Sequence, residues 1–258
     1  MPQSWQEGAL FNTTMIRAHS QAQGRRWTGT GFFVYWMGEN GDNELFLVSN
    51  RHVLENNQTF QYGVLLHRKA PEGQGFELKN TKSSVWIDFN NPVSVNLDWI
   101  GNYFAPKDPE IDLACIRCTN LLERDDIVLA PLTQRAMLDW KASKLHPGQQ
   151  VLFVGYPDSV HDRMHNLPVL RTGVLASLPY VDFDGKPDFL LDAQIWNGSS
   201  GSPVFVKADD APVSFSLIGV IHSSRKKRDQ TDTNIGLGYG VKSSELLKLL
   251  SAAATGAY

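Results

Sequence analysis

The sequence has little cysteine, little excess charge of either sign and no long hydrophobic run. Only two of its 258 residues are cysteines, which excludes a secreted scaffold held together by disulfides. A formal net charge of −3 excludes strong attraction to nucleic acid or to an anionic membrane surface. The longest apolar runs are far shorter than the ~18 residues that a membrane-spanning helix requires. The remaining composition, 42% hydrophobic and 20% charged, is that of an ordinary globular protein of one large domain or two fused lobes.

The N-terminal residues and the two cysteines bear on the cellular compartment. Residues 1–12 contain neither a cationic start nor an apolar stretch, so no secretory signal is predicted. Together with the scarce cysteine, this predicts a cytoplasmic location. Cys115 and Cys118 form a Cys-x-x-Cys pattern on a predicted strand, where positions i and i+3 point to opposite faces. We therefore expect two buried thiols rather than a redox or zinc site.

Residues 196–205, Trp-Asn-Gly-Ser-Ser-Gly-Ser-Pro-Val-Phe, are the most informative segment. They place Ser200 within Gly-x-Ser-Gly-Ser-Pro, where the glycines permit a tight turn with free backbone N–H groups on either side of the serine. A serine in such a turn is typical of a nucleophile. This chemistry also requires a histidine base, a carboxylate that orients the histidine and two donors for an oxyanion.

A histidine and a carboxylate stand where this chemistry requires them. His52 follows the apolar stretch 45–49, which predicts a buried strand that ends just before a general base. Asp112 precedes the apolar stretch 113–118, and a carboxylate drawn toward the interior there needs a partner such as an imidazole N–H. The candidate residues therefore occur in the chain order His52, Asp112, Ser200.

Two other aspartates are alternatives for the carboxylate. Asp98 precedes a Trp-Ile pair and has the weaker context. Asp108 lies in the Pro-Lys-Asp-Pro of residues 106–109, which is typical of a turn. Only Asp112 is followed by a clear buried strand, and we favour it for that reason.

These segments resemble the chymotrypsin-fold (trypsin-like) serine peptidases, most closely their bacterial branch of HtrA- and V8-type enzymes. The order His-Asp-Ser is that of chymotrypsin and differs from the orders in subtilisin and in α/β-hydrolases. Residues 192–195, before Ser200, are similar to HtrA, and residues 201–205, after it, are similar to the V8 type. Residues 28–34, Thr-Gly-Thr-Gly-Phe-Phe-Val, and 171–177, Arg-Thr-Gly-Val-Leu-Ala-Ser, resemble two further strands of the same branch.

The resemblance runs from about residue 13 to about residue 250 and implies an all-β fold. It implies two six-stranded antiparallel β-barrels and a C-terminal α-helix within a single peptidase domain, 1–258. We predict an N-terminal lobe over 9–122, a connection over 123–149, and a C-terminal lobe with the terminal helix over 150–258.

Apolar runs between turn signals predict the individual strands. In the first lobe they are 13–17, 31–36, 45–49, 62–67, 85–89, 99–104 and 113–118. In the second lobe they are 150–155, 169–178, 189–195, 203–206, 217–222 and 237–242. A short helix is predicted within 132–140, just after Pro131. A terminal helix is predicted over 243–250, with Ser243 as its cap.

The resemblance implies a serine endopeptidase that acts through an acyl-enzyme and needs no metal or cofactor. Ser200 is then the nucleophile, His52 the general base and Asp112 the residue that orients the histidine. The backbone N–H groups of Gly198 and Ser200 are implied to hold the oxyanion.

The resemblance also bears on specificity. The position six residues before the nucleophile, which is acidic in trypsin, is Gln194, so no preference for Lys or Arg is expected. Ile195 follows and, together with Leu237, favours a small or medium apolar P1 residue. His222 is similar to the S1 histidine of glutamate-selective V8-type enzymes but stands one position later, so a glutamate preference and a plain strand residue both remain open. Ser223 and Ser224 complete the predicted substrate-binding residues.

The sequence indicates less about how activity is controlled and which partners bind. Ser199 stands where zymogen-type trypsins carry an aspartate, so activity is not expected to depend on a new N-terminus. The basic residues 225–228 favour a solvated loop over a site for acidic groups. The expected partner is a protein or peptide substrate, without nucleic acid or membrane, and a regulatory protein partner remains open. The alternative functions are a latent protease-fold binding or regulatory protein and an esterase or acyltransferase.

Overall fold

The computed structural model is built almost entirely of β-strands in two sheets, which form two lobes. It describes residues 5–20, 24–38, 41–54, 61–79, 84–141, 143–207, 215–226 and 234–257. Short helices stand near the two ends of this part: α1, Trp5–Asn12, and α2, Ser243–Thr255. None of its helices is long and apolar enough to cross a membrane.

The first lobe is a ten-stranded sheet across the described ranges. Its strands are β1 Thr13–Ser20, β2 Arg25–Trp36, β3 Glu44–Ser49, β4 Gln61–Lys69, β5 Phe76–Lys79, β6 Ser84–Asn96, β7 Tyr103–Phe104, β8 Ala114–Arg117, β9 Ile127–Val128 and β10 Leu132–Thr133. Their spatial order is β5-β6-β4-β1-β2-β3-β8-β7, with β9 on β4 and β10 on β2. Two strands of the predicted connection thus extend the first sheet.

The second lobe is a closed six-stranded barrel in the order β11-β12-β13-β16-β15-β14. Its strands are β11 Gln150–Gly155, β12 Val169–Leu175, β13 Asp188–Asp192, β14 Pro203–Lys207, β15 Phe215–Lys226 and β16 Asn234–Lys242. All of its strand pairs are antiparallel. The predicted all-β class with a C-terminal helix is confirmed, although the first lobe has ten described strands rather than six. The lobe boundaries stay predictions.

Strand β3 shows why the lobes pack together. Its apolar residues are consecutive, and because side chains alternate along a strand, both faces are buried. Leu45 and Leu47 face the interior of the first lobe, whereas Phe46 and Val48 face a core shared with the second lobe and α2. This shared core contains Ala9, Phe32, Val34, Phe46, Val48, Leu113, Cys115, Leu132, Val154, Phe205, Leu217, Val220, Val241, Leu246, Leu249, Leu250 and Ala253. Burial of β3 on two sides makes it a rigid support for the residues that follow it.

The helix predicted within 132–140 is wrong. That segment is strand β10, a single 3-10 turn at Gln134–Ala136 and an extended stretch in which Met137 bridges to Leu217. Trp140 explains the difference, because it is buried in the second lobe and its indole N–H donates to the Ile218 carbonyl at 3.0 Å. That tertiary contact draws the chain out across the barrel and overrides local helix preference.

Other differences concern ends of elements. The strand predicted at 99–104 is a turn followed by β7, with the Asn102 N–H donating to the Trp99 carbonyl. Helix α2 runs to Thr255, five residues beyond its predicted end, and Ser243 is its first residue rather than its cap. The Ser243 hydroxyl instead donates to the Leu138 carbonyl at 3.2 Å. Helix α1 was not predicted, since residues 5–12 include Gly8 and show little helical periodicity.

Candidate active site

His52 lies on a tight turn that begins where β3 ends. The N–H groups of Val53 and Leu54 donate to the carbonyl oxygen of Asn50 at 3.2 and 3.0 Å. The turn leaves the His52 side chain 50% exposed. A rigid strand thus carries the imidazole to the surface, as a general base requires.

Asp112 lies beside this turn because β8 pairs with β3. Nδ1 of His52 and Oδ2 of Asp112 are 2.6 Å apart, and the backbone N–H of His52 donates to Oδ1 of the same carboxylate at 3.1 Å. Nδ2 of Asn50 donates to the Asp112 carbonyl oxygen at 2.7 Å. Both carboxylate oxygens are therefore bonded to one residue, which sets the ring plane and leaves Nε2 as the basic nitrogen.

The surroundings keep the Asp112 carboxylate ionised. Burial works to raise its pKa, but the hydrogen bonds and charge of His52 outweigh burial and hold the pKa below its ordinary value of 3.8. The charge of His222 lowers it further by a smaller amount. An ionised carboxylate at this point stabilises the imidazolium that forms when His52 takes a proton.

The two alternative aspartates have other contacts. The Asp98 carbonyl accepts from Nδ2 of Asn102 at 3.0 Å, within the turn before β7. Oδ1 of Asp108 accepts from the Glu110 N–H at 2.9 Å, which is a local turn bond. Of the three aspartates considered, only Asp112 contacts the His52 ring in the described structure.

Ser200 lies on a turn between β13 and β14 that is built around two glycines with positive φ. Gly198 has φ +82° and Gly201 has φ +89°, in the left-handed region that favours glycine. A Cβ on Gly198 would overlap the Tyr156 carbonyl oxygen, and a Cβ on Gly201 would overlap that of Thr30. Both glycines therefore allow the turn to approach other backbone closely.

Two N–H groups of this turn have no protein acceptor among the described residues. The N–H groups of Ser199 and Gly201 each donate to a backbone carbonyl, at 3.0 and 2.8 Å. Within the part of the chain that the structure describes, no acceptor is paired with the N–H of Gly198 or of Ser200. These are the two donors that the family resemblance implies for an oxyanion, and we call this candidate pair the oxyanion hole.

A neighbouring loop orients the Gly198 N–H. The carbonyl of Asn197 accepts from the N–H of Asp158 at 2.5 Å. Because no described peptide bond is cis, the N–H of Gly198 points opposite that carbonyl and away from Asp158. Asp158 itself has φ +50°, a conformation that costs energy for a residue with a side chain and that clusters at functional sites.

Thr30 and His222 bring Ser200 to the junction of the lobes. The N–H of Thr30, on β2, donates to the Ser200 carbonyl at 2.8 Å. Oγ of Ser200 donates to the His222 carbonyl at 3.3 Å, and the charge of His222 acts on Asp112. In the described residues no hydrogen bond joins Ser200 Oγ to His52, so that contact requires a side-chain movement.

Gln194 and Ile195 lie opposite two glycines of β16. A Cβ on Gly236 would come within 3.5 Å of Nε2 of Gln194, and a Cβ on Gly238 would overlap the Ile195 side chain. Ile195 is buried and Gln194 is exposed. The two glycines thus leave space for these side chains beside β16.

The His222 ring pairs with Asp188 rather than with Gln194 or Ile195 in the described structure. Its Nε2 is 3.2 Å from Oδ2 of Asp188, and the two side chains are only 16% and 10% exposed. The pair borders a cavity of about 480 Å³ that Ser223 and Ser224 also line. Three of the five predicted substrate-binding residues thus border this cavity, whereas Gln194 and Ile195 are not among its described lining residues.

Sequence reasoning missed Thr30, Asp158 and Asp188. Thr30 stands in the Gly-Thr-Gly of residues 29–31, which was interpreted only as strand similarity. The Pro-Asp pair at 157–158 signals a turn but not its contact with the serine turn. Asp188 precedes His222 by 34 residues, and no local pattern links them.

The two cysteines are buried free thiols, as expected. Cys115 packs in the shared core, and Cys118 packs in the first-lobe interior. Burial raises the pKa of Cys115 and raises that of Cys118 to about 12, so neither is a reactive thiolate at neutral pH. Among the described side chains, no group of three or more His, Cys, Asp or Glu is arranged to hold a metal ion.

Solved protease structures share the fold of this chain. The structure is similar to the HtrA-type protease AlgW with a tripeptide, at a TM-score of 0.59 and 14% identity, over 96% of this chain and 62% of that one. It is also similar to the active form of the Rv3671c protease from M. tuberculosis, at a TM-score of 0.52 and 14% identity, over 95% of this chain and 82% of that one. At such identities the likeness shows the fold alone.

This chain therefore spans less than two thirds of the length of the AlgW chain. No curated protein matched it in sequence. The sequence model of the trypsin-like peptidase domain matches residues 29–213, a stretch that includes His52, Asp112 and Ser200. Because this match covers well over half of the chain, the protein belongs to the trypsin-like peptidase domain family.

Proposed function

We propose that the protein is a serine endopeptidase that hydrolyses peptide bonds through an acyl-enzyme. One observation carries the proposal: a bonded His52–Asp112 pair lies at the same lobe junction as a serine turn with two unpaired N–H groups in its described surroundings. These parts supply a base, a residue that orients it, a nucleophile and two oxyanion donors, which is the set that acyl transfer requires.

The proposed reaction begins when Ser200 Oγ bonds to the substrate carbonyl carbon and its proton passes to Nε2 of His52. Asp112 stabilises the resulting imidazolium through Nδ1. The former carbonyl oxygen, now an oxyanion, accepts from the oxyanion hole. Collapse breaks the C–N bond as His52 returns the proton to the leaving amine. Water then attacks the acyl-enzyme, and the same groups release the acid and restore Ser200.

An edge of β15 that no described strand covers supports an extended peptide as the ligand. Strand β14 pairs with β15 only from Phe215 to Val220, so it does not cover the edge at residues 222–225. The His222 carbonyl lies on this edge and accepts from Ser200 Oγ. A substrate strand that offers its own N–H to that carbonyl would release the Ser200 hydroxyl for His52. Substrate binding would thus complete the catalytic contacts.

The proposed P1 residue is small or medium in size and apolar. Gln194 brings no charge to hold Lys or Arg, and Ile195 presents an apolar side chain opposite Gly238. A glutamate preference is not favoured, because the ring of His222 is already paired with Asp188.

A fluorophosphonate probe tests the nucleophile. Wild-type protein should be labelled on Ser200, the Ser200→Ala variant should not be labelled, and Ser251→Ala, a serine of α2, should be labelled like wild type. Labelling that persists in Ser200→Ala would exclude the proposed nucleophile.

A peptide-library digest read by mass spectrometry separates the remaining functions. The proposal expects Ser200-dependent cleavage after small or medium apolar residues. Hydrolysis of simple esters without peptide cleavage would indicate the esterase alternative. Labelling that appears only after a second protein is added would indicate a latent enzyme, for which the Ser200–His222 hydrogen bond is the supporting observation.

A further inference from the structure

Thr30 makes three hydrogen bonds across the lobe junction. It is fully buried on β2, and β3 pairs with β2 only from Phe32 onward, so the backbone edge at Thr30 is open toward the second lobe. Its N–H donates to the Ser200 carbonyl at 2.8 Å. Its hydroxyl donates to the Gly198 carbonyl at 2.7 Å and accepts from the Tyr156 N–H at 3.1 Å. One first-lobe residue therefore bonds the serine turn twice and the end of β11 once.

These contacts act on the peptide units around the oxyanion hole. Thr30 holds the carbonyls of Gly198 and Ser200, the two residues whose N–H groups form the hole. The hydroxyl bond orients the plane of the peptide between Gly198 and Ser199, while Asp158 orients the plane before it. Without the Thr30 hydroxyl, the peptide between Gly198 and Ser199 keeps only the bond from the Ser199 N–H, and a rotation of its carbonyl toward the hole would oppose an oxyanion.

The site of the Thr30 hydroxyl has no room for a water molecule that could take over its hydrogen bonds. Thr30 has no exposed surface, and a Cβ on the neighbouring Gly155 would overlap the Thr30 hydroxyl, so the packing around Oγ1 is close. A methyl group in place of Oγ1 would leave both the Gly198 carbonyl and the Tyr156 N–H without that partner.

We propose that the Thr30 hydroxyl is a positioning group for the oxyanion hole, supplied by the first lobe to the serine turn of the second. The hole is then formed only when the two lobes are docked at Thr30. Thr30 does not touch substrate, and it acts through the backbone of Gly198 and Ser200. This inference rests on the proposed function, since the hole matters only if Ser200 attacks a carbonyl or phosphonyl centre.

The test compares Thr30→Val, Thr30→Ser and a matched control, Thr14→Val. Thr14 is also buried in the first sheet, but its hydroxyl donates to the Leu65 carbonyl at 3.2 Å, within the first lobe. The first readout is the rate at which a fluorophosphonate labels Ser200. In that reaction Oγ bonds to phosphorus, fluoride leaves, the hydroxyl proton passes to His52 and the phosphonyl oxygen occupies the hole. The second readout is kcat and KM on the best peptide from the library digest.

We expect Thr30→Val to lower the labelling rate and kcat by about 10- to 100-fold, with KM within about threefold of wild type, because only the charged transition state uses the hole. Thr30→Ser, which keeps the hydroxyl, and Thr14→Val should both remain within about threefold of wild type. If Thr30→Val does not fold, Thr30→Cys replaces it, and its weak thiol donor should give a rate below that of Thr30→Ser.

Two results overturn the inference alone: Thr30→Val as active as Thr14→Val, or Thr30→Ser as impaired as Thr30→Val. A wild-type protein without Ser200-dependent labelling or cleavage overturns the proposed function, and the inference with it. The Ser200→Ala comparison therefore separates the two failures.

Discussion

Asp112 carries two tasks through one carboxylate. Oδ2 holds the His52 ring and Oδ1 accepts the His52 backbone N–H, so the same group orients the ring and anchors the turn on which it stands. The neighbouring Asn50 amide holds the Asp112 backbone in place. The orientation of the base therefore depends on three hydrogen bonds between adjacent loops of the first lobe.

Asp112→Asn should lower kcat by about 10⁴-fold, because an amide that donates to Nδ1 stabilises the wrong imidazole tautomer. The measurement is kcat on the peptide found by the library digest. Asp98→Asn is the control, since only the Asp98 backbone carbonyl holds its turn, and it should stay within about threefold of wild type. Equal rates for the two variants would remove Asp112 from the mechanism.

The lowered pKa of Asp112 also predicts a pH dependence of stability. A carboxyl whose folded pKa lies below its unfolded value contributes stability that is present above the unfolded pKa and lost as pH falls through the folded pKa. The pKa of Asp112 in the folded protein lies below its ordinary value of 3.8. Urea unfolding should therefore show Asp112→Asn less stable than wild type at about pH 5, with a smaller difference at about pH 3. A difference that is equal at both pH values would contradict the pairing.

At the scale of elements, the serine turn depends on backbone that comes close to other backbone. Gly198→Ala should lower kcat by about 10²–10³-fold, since its Cβ would overlap the Tyr156 carbonyl and displace one oxyanion donor. Gly148→Ala separates this clash from backbone strain: Gly148 has φ +89° but no atom lies within 4 Å of its added Cβ. We expect Gly148→Ala to lose stability while kcat is retained. Similar kcat losses in both variants would attribute the effect to strain alone.

Element prediction succeeded where burial and local pattern agree. The buried runs at β3, β11 and β14 were predicted within one residue at each end, because apolar residues are bounded there by turn formers. It failed where a distant contact decides the backbone. The segment 132–140 was predicted to hold a helix after Pro131, but in the fold Trp140 lies in a turn and its indole N–H bonds to the Ile218 carbonyl.

For the candidate site, the sequence predicts the main residues but not the contacts that arrange them. His52, Asp112 and Ser200 stand at strand ends or in a glycine turn, so each carries a local signal. The contacts that arrange them do not, because Thr30 reaches Gly198 across 168 positions of sequence and His222 reaches Asp188 across 34. Such pairs follow from how the two sheets dock, which one sequence does not specify locally.

At the scale of the whole molecule, the shared core joins both lobes and α2. Leu250 is fully buried in this core, whereas Leu247, on the same helix, is 40% exposed. Leu250→Ala should lower the free energy of unfolding by about 2–5 kcal/mol through lost burial and a cavity. Leu247→Ala should change it by no more than about 0.5 kcal/mol.

Urea unfolding followed by tryptophan fluorescence and by circular dichroism measures both variants. Because the core is shared, both signals should shift together in Leu250→Ala. Separate transitions for the two signals would indicate lobes that unfold independently.

The two thiols lie on opposite sides of the segment that follows Asp112, one in the shared core and one in the interior of the first lobe. A thiol-alkylating reagent reaches them only when those cores open, so the alkylation rate in native buffer reports the population of the open state. Cys115 reads the core between the lobes and Cys118 the interior of the first lobe, and mass spectrometry distinguishes the two modified peptides. The alkylation rates of Cys115 and Cys118 therefore report the opening of the two cores separately. The measurement needs no substrate, no inhibitor and no label on Ser200.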